Sequence, residues 1–577
     1  MTSKIILNDA FKHYTLDQDK TLTPEETVRR FKERLKGLDL DILERTERID
    51  NGRLDIPVYF SVCGRDAHEI IGTKKQMGKG STPQQSEASA VMELAERFSF
   101  FSFFKNPPNF LIAKYKDVQD KALAFEAISD SVHDHSEDLG AAKALFSSLP
   151  LKWAAAYNLT RHEEVLIPFD WFFAINEFNG PSAGNCVEEA LSQGICEIVE
   201  RHVSSLVSRN KLETPAINID SITDPVALEL IGKYQRIGVQ LFISDFSLDT
   251  GIPTIGVLAY DPSTFPKTSE IVWTAGTTPS PQKALNRALT EVAQLAGDFN
   301  TSSNYVASGL PKLETIKEAE LVTRSDKEKQ LSQLPDLSHD NIKIEVENCI
   351  SALSRIGMDV IVVNVTHPGL EIPAFYTIIP GAHFRERTTG TSIGMFAAKL
   401  ITQNNSPEVA ISELQRVDAL MPGKYYTRFF LGSCHLSMSK PNEALKYFKQ
   451  ALELSPKDED ITSIYSYMGV CLRDLGQYRR AIEVLEKAEE NDSARTDIYN
   501  LMGFCYFKLK EHEKAIACFN KVLELDPNSA IDYANIASNY RDMGKKDLAT
   551  QYYEFALQLD PSIEFARDNL RKLGGTS

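Results

Sequence analysis

The chain has 577 residues, 42% hydrophobic and 25% charged, proportions that exclude a mostly disordered or collagen-like protein. Its formal net charge of −17, from 63 basic and 80 acidic side chains, argues against a nonspecific grip on nucleic acid or an anionic membrane. At roughly 150 residues per domain, the length allows about three or four domain equivalents.

The opening MTSKIILNDAFKHY has no basic region followed by an apolar run, so no export signal is expected. No stretch approaches the roughly 20 apolar residues of a membrane-spanning helix. Eight cysteines without a CxxC pair read as buried thiols of a reducing cytoplasm. A soluble, cytoplasmic protein is the expectation, with neither nucleic acid nor membrane as partner. The first predicted element is TPEETVRRFKERLKGL, where Thr23 can cap a helix and Pro24 takes its first position. SDSVHDHSED, with His133 and His135, reads as a solvated polar loop rather than a metal loop. Farther on, VQLFISDF, GIPTIGVLAY, MDVIVVNV and AFYTIIPG read as strands bounded by Gly and Pro. The first two thirds therefore read as an α/β or α+β domain with a layered mixed sheet.

Three segments in this region share one pattern: GKGSTPQQSEASAVMELAERF (78–98), SAGNCVEEALSQGICEIVERH (182–202) and TAGTTPSPQKALNRALTEVAQL (274–295). Each runs from a Gly-containing turn into a helix with polar residues at i, i+4 and i+7. These are Ser89, Glu93 and Glu96; Gln193, Glu197 and Glu200; Arg287, Glu291 and Gln294. At about 100° per residue each trio forms a narrow stripe, opposite apolar positions such as Val91, Leu94 and Phe98. Solvated amphipathic faces explain one such helix, but solvation does not impose a common register or select glutamate. Paired carboxylates suit a hard divalent ion beside phosphates. The Gly turns and helix N-termini suit anionic oxygens, and Arg97, Arg201 and Arg287 can pair with carboxylate or phosphate. The pattern indicates a metal–nucleotide site without a Walker A or G-x-G-x-x-G motif.

The last third repeats. Gly469, Gly503 and Ala537 are 34 residues apart, each followed by Ala481, Ala515 or Ala549 and then by Leu485, Phe519 or Tyr553. Pro527 and Pro561 keep the same step, and Gly432, Ala444, Phe448, Ala451 and Pro456 form a further unit. Small residues let two helices approach, and the large one is expected to fill the gap between units. The pattern resembles the tetratricopeptide repeat over about 425–565, with a degenerate unit before it (Ala410, Pro422) and ARDNLRKL as a cap. The solenoid is expected either to recruit a peptide or protein partner or to build a homodimer.

The motif S-x-x-x-E-x-x-E-R, the pair S-A-G-N and E-A-x-x-x-G-x-x-E-x-x-E-R, and R-x-x-x-E-x-x-Q resemble the ATP-binding motifs of the YcaO superfamily. So does the Lys-x₆-Thr element at Lys20 and Thr27, and VTHPGLEIPAFYTIIPG is similar to the family's closing segment. The resemblance spans roughly 15–385. It implies a mixed-sheet α/β (α+β) YcaO-like domain at 1–388, followed by an all-α solenoid at 389–577. It also implies an enzyme that uses ATP and Mg²⁺ to activate a backbone amide: a nucleophile adds, the amide oxygen is phosphorylated, and phosphate leaves to give a thioamide or azoline. Carried over by position, Glu93, Glu96, Glu189, Glu197 and Glu200 would hold Mg²⁺ and phosphates. Lys20, Thr27, Ser89, Ser182, Asn185, Arg201 and Arg287 would contact the nucleotide, and Glu291 and Gln294 complete the third stripe. Azoline-forming members typically end in a proline-rich tail, whereas this chain ends RKLGGTS, so the thioamide type is favoured. The combination with helical repeats looks like the accessory-factor branch linked to ribosomal-protein methylthiolation. The alternatives are a non-catalytic ATP-binding accessory factor and a partner-binding scaffold.

Overall fold

The computed structural model describes residues 4–72, 75–134, 136, 138–302, 305, 307, 309–385, 391–526 and 529–574, with no side chain at 459. It divides into two compact units, Met1–His135 with Ser147–Thr391, and Ser136–Phe146 with Ser392–Ser577. The expected boundary at 388/389, His135 and Pro527 lie outside the described residues.

The described residues of the first unit form three sheets. β1 (Leu43–Arg48), β2 (Val58–Cys63) and β3 (Lys75–Lys79) form an antiparallel meander. β4 (Leu111–Lys114), β5 (Pro150–Asn158), β6 (Glu163–Pro168) and β7 (Pro181–Ala183) belong to a six-stranded sheet. β8 (Ala216–Ile217), β9 (Gln240–Asp245), β10 (Thr254–Tyr260), β11 (Val272–Thr277) and β12 (Glu328–Lys329) make a five-stranded sheet, in which β8 and β12 pair in parallel. β13 (Ile361–Asn364) and β14 (Ala374–Ile378) complete the six-stranded sheet in the order β4-β5-β13-β14-β7, with β6 paired to β5. The four apolar β-branched runs thus become β9, β10, β13 and β14. Helix Pro24–Lys36 starts where its sequence indicates, the Thr23 hydroxyl accepting the Glu26 N–H at 3.2 Å.

The three patterned segments become helices Pro83–Phe104, Val187–Arg209 and Pro281–Ala296, here the first, second and third motif helices. They follow β3, β7 and β11 respectively. A Cβ on Gly78 would sit 2.1 Å from Ala90 N, and one on Gly276 2.5 Å from Ala284 O. Only glycine lets these strands press onto the helices they lead into. Val91, Leu94, Ala95 and Phe98, then Ile195, Ile198 and Val199, then Leu289, Val292 and Ala293 are buried. The apolar faces are therefore held by the core, and each polar stripe points the other way. The segment around His133 is not the solvated loop expected: Ser131, Val132 and Asp134 are buried, and the His133 ring stacks on His383 with centroids 3.8 Å apart.

In the second unit, helix pairs follow one another from Ile393–Asn404 to Lys546–Leu559, closed by Glu564–Leu573, the expected cap. A Cβ on Gly432, Gly469 or Gly503 would come within 2.8, 2.6 or 2.7 Å of Phe448, Leu485 or Phe519. The large residue thus meets the small one across the two helices of one repeat, not in the gap between units as expected, because a helix pair can approach this closely only where one side lacks a Cβ. All eight cysteines are free, Cys186 half-buried and the rest buried. Among the described residues no helix is long and apolar enough to cross a membrane.

Candidate functional site

The three polar stripes converge on a cavity of about 310 Å³ in the first unit. Of the fourteen residues expected there, thirteen line it: Lys20, Thr27, Ser89, Glu93, Glu96, Asn185, Glu189, Glu197, Glu200, Arg201, Arg287, Glu291 and Gln294. Ser182 does not. It is fully buried on β7, where its hydroxyl donates to Ala190 O at 2.7 Å and staples the strand to the second motif helix. Several lining residues escaped the sequence reading, notably Gln18 and Lys79. Lys79 stood in the G-K-G that opens the first segment, and its alternation with two glycines was the available signal.

Six glutamates (Glu93, Glu96, Glu189, Glu197, Glu200, Glu291) and five cations (Lys20, Lys79, Arg97, Arg201, Arg287) face one another in the wall. At one end, Arg97 Nε lies 3.5 Å from Glu96 and 4.0 Å from Glu93, and Arg201 lies 3.7 Å from Glu197. Among the described residues Glu93 and Glu96 accept no hydrogen bond. Burial raises the pKa of Glu93, and raises that of Glu96 well above the carboxylate range, with Arg97 opposing and Glu197 adding like charge. Arg201 Nε is buried without a hydrogen-bond partner among the described residues. Arg287 would ordinarily pair with Glu291, four residues on. Instead its Nε donates to Glu200 at 3.1 Å, and Gln193, with its amide oxygen turned to the guanidinium, accepts at 3.1 and 3.2 Å. Glu200 also accepts the Thr277 N–H at 3.1 Å. Glu291 pairs with Lys79. Burial, reinforced by Arg287, pulls the Lys79 amine down to about 7.

The other end is a clasp made by the N-terminal strap. One Glu189 oxygen accepts the Thr21 N–H at 2.5 Å and the Thr21 hydroxyl at 2.6 Å. The other accepts the Asn185 N–H at 3.0 Å and its side-chain amide at 3.2 Å. Asn185 also donates to the Thr27 hydroxyl at 3.0 Å, and Arg30 donates to Asn185 O at 2.8 Å. The strap is anchored farther back by Lys12, between Asp19 at 2.8 Å and Glu345 at 2.6 Å. Glu189 and Glu197 stand eight residues apart on one helix, about 12 Å at 1.5 Å per residue. They mark opposite ends of the cavity. Among the described residues no three His, Cys, Asp or Glu side chains are grouped so as to hold a metal ion alone.

A second cavity, of about 370 Å³, contains His133, His202 and His383 with Asp130, Asp249 and the Pro380–Gly381 turn. The backbone N–H of His383 donates to His202 Nδ1 at 3.0 Å. Burial lowers the pKa of His202 to about 4 and that of His383 to about 3, so both imidazoles are neutral near pH 7.

Residues 77–383 match the family described as YcaO cyclodehydratase, ATP- and Mg²⁺-binding. Residues 427–533 match the TPR domain of cytochrome c-type biogenesis protein H, and 533–563 the tetratricopeptide repeat. An uncharacterized protein of Methanothermobacter thermautotrophicus is 26% identical over 382 residues, 63% of this chain and 94% of its own. The ribosomal protein S12 methylthiotransferase accessory factor YcaO of Escherichia coli is 26% identical over 296 residues, 47% of this chain and 48% of its own. Among solved structures, a heterocyclase in complex with substrate and cofactor superposes with a TM-score of 0.56 at 22% identity, covering 69% of this chain and 57% of that one. YcaO from Methanopyrus kandleri bound with AMPPCP and Mg²⁺ superposes at 0.51 and 21% identity, covering 66% and 96%. At these identities the superpositions show a shared fold. With the family match spanning more than half its length, the chain belongs to the YcaO family and carries tetratricopeptide repeats after that domain.

Proposed function

We propose that the first unit binds Mg²⁺·ATP in the 310 Å³ cavity and uses it to activate a peptide or protein backbone amide toward a thioamide- or azoline-type product. In this reading the repeats recruit the substrate or a modification partner. The observation that carries it is the cavity's two-ended character: a hydrogen-bonded clasp, in which Thr21 and Asn185 fill both oxygens of Glu189, lies about 12 Å along one helix from a cluster of carboxylates and guanidiniums. That span suits a nucleoside at the clasp and a triphosphate at the charged end.

The charged end has the needs such a ligand would meet. Glu93 and Glu96 are desolvated carboxylates without hydrogen-bond donors among the described residues, which a divalent cation would stabilise. Arg201 Nε is a buried donor that a phosphate oxygen would satisfy. Mg²⁺ is commonly held by one or two carboxylates plus substrate phosphates, a demand the carboxylates at this end can meet. Glu93, Glu96, Glu197 and Glu200 are the candidate ligands, one or two of them to an ion whose remaining positions phosphate oxygens and water would fill. Arg201 and Arg287 would face phosphate oxygens, Ser89 lies on the same stripe, and Lys20, Thr27 and Asn185 serve the nucleoside end. Glu189, both of its oxygens engaged, holds the strap. When bound, Mg²⁺·ATP supplies the phosphoryl group that turns an amide oxygen into a leaving group. The chain's own contribution is placement and fixed charge in a site where burial strengthens electrostatics.

Calorimetric titration with MgATP and with a non-hydrolysable analogue tests the binding step; absence of binding would reject the reading. Phosphate release stimulated by a specific peptide or protein tests the activation step. The accessory-factor reading, favoured by the name of the Escherichia coli relative, expects binding without such stimulated turnover.

A further inference from the structure

The sequence left Glu291 without a role. Four residues after Arg287 on the same stripe, it would ordinarily pair with that arginine, yet Arg287 is engaged by Glu200 and Gln193 from the second motif helix. Glu291 meets Lys79, the last residue of β3. The side chains of this pair are 12% and 16% exposed. Two glycines bring it about. A Cβ on Gly78 would lie 2.1 Å from Ala90 N, and one on Gly80 2.6 Å from the Gln85 side chain, so both face the first motif helix at close range. Strand alternation then turns Lys79 the other way, toward the third motif helix. Its amine enters the charged end of the cavity, within electrostatic reach of Glu93, Glu200, Arg201 and Arg287.

The geometry points to Lys79 as a further phosphate-contacting residue of this cavity, with Glu291 as its positioning partner rather than a metal ligand. The inference rests on the Mg²⁺·ATP reading. The two cations differ in kind. Arg287 is a planar fork fixed by two partners, whereas a lysine is a point charge on a flexible four-carbon stem that can move between Glu291 and an arriving anion. Glu291 keeps that amine at the cavity wall in a setting where Arg287 and burial both disfavour its charge, and a phosphate beside it would favour the charge again. The alternative is a buried staple between β3 and the third motif helix that never touches ligand.

Melting and MgATP calorimetry on the full chain separate the two. Lys79→Met is expected to weaken MgATP by at least tenfold, and Lys79→Arg to recover part of that loss. Glu291→Gln should weaken binding less, have no further effect once Lys79 is gone, and leave the Mg²⁺ concentration dependence unchanged. The double variant Lys79→Met/Glu291→Leu removes both buried charges. It should regain the ligand-free melting temperature while its affinity stays low, and it carries the measurement where Lys79→Met does not fold. Wild-type affinity in Lys79→Met, or recovery of affinity together with stability in the double variant, overturns the assignment and leaves a staple. A changed Mg²⁺ dependence in Glu291→Gln overturns Glu291 as a positioning residue. Failure of the wild-type chain to bind MgATP removes the underlying reading, an outcome visible before any variant is made.

Discussion

Replacing Glu189 with glutamine tests whether this carboxylate clasps the strap or holds an ion. Its two oxygens accept four hydrogen bonds, two from Thr21 and two from Asn185, at 2.5 to 3.2 Å. Glutamine keeps the shape but turns one oxygen into a donor, so one of the two pairs must face a donor and the other loses its charged acceptor. A hydrogen bond to a charged group contributes about 1.5–3 kcal/mol. With partial recovery by neutral bonds and a flip of the Asn185 amide, a net loss of about 2 kcal/mol in strap docking is expected. At about 1.4 kcal/mol per factor of ten, that is roughly a 30-fold rise in local opening. Hydrogen exchange at the Thr21 amide, measured without nucleotide or metal, reads this directly. The rise should be confined to the strap, and MgATP should bind more weakly because Lys20 is no longer held. Unchanged Thr21 protection, with an altered Mg²⁺ requirement for nucleotide binding, would refute the clasp and assign Glu189 to the ion.

Glu197→Gln should weaken MgATP by tenfold or more with little change in ligand-free melting, whereas Glu200→Gln should also lower the melting temperature, because Glu200 accepts from Thr277 and Arg287; calorimetry and melting curves on both variants check the distinction. Gly503→Val places a side chain where a Cβ already comes within 2.7 Å of Phe519, an overpacking that should cost about 1–3 kcal/mol, measurable by denaturant unfolding of the repeats. His202, flanked by Asp249, His133 and His383, has its pKa lowered from 6.5 to about 4. The unfolded chain therefore binds the extra proton first, and the stability this residue contributes is full above about pH 6.5 and lost as pH falls toward 4. The ceiling is about 3 kcal/mol, and His202→Gln should flatten the difference in unfolding free energy between pH 7 and pH 4.5.

Much of this molecule was legible because its signals are local. A 34-residue step and a three-residue stripe on a helix depend on chain geometry over a few turns, which is the same in every fold. The repeats, the three motif helices, their buried and polar faces, and thirteen of the residues that line the cavity follow from that periodicity together with the family motif. The pairings depend on segments far apart in the chain, and no local pattern encodes them. Glu189 meets Thr21 across 168 residues, and Lys79 meets Glu291 only because two glycines turn β3 against one motif helix and its lysine toward another. Ser182 satisfied the motif by position, yet strand β7 directs its hydroxyl to Ala190 O, away from the cavity. Periodicity says which face of an element is polar. Which partner that face meets, and which of its carboxylates remain available to a ligand, is decided only when the sheets and helices pack, because hydrogen bonds and ion pairs form within about 3–4 Å between residues whose separation along the chain carries no information about that distance.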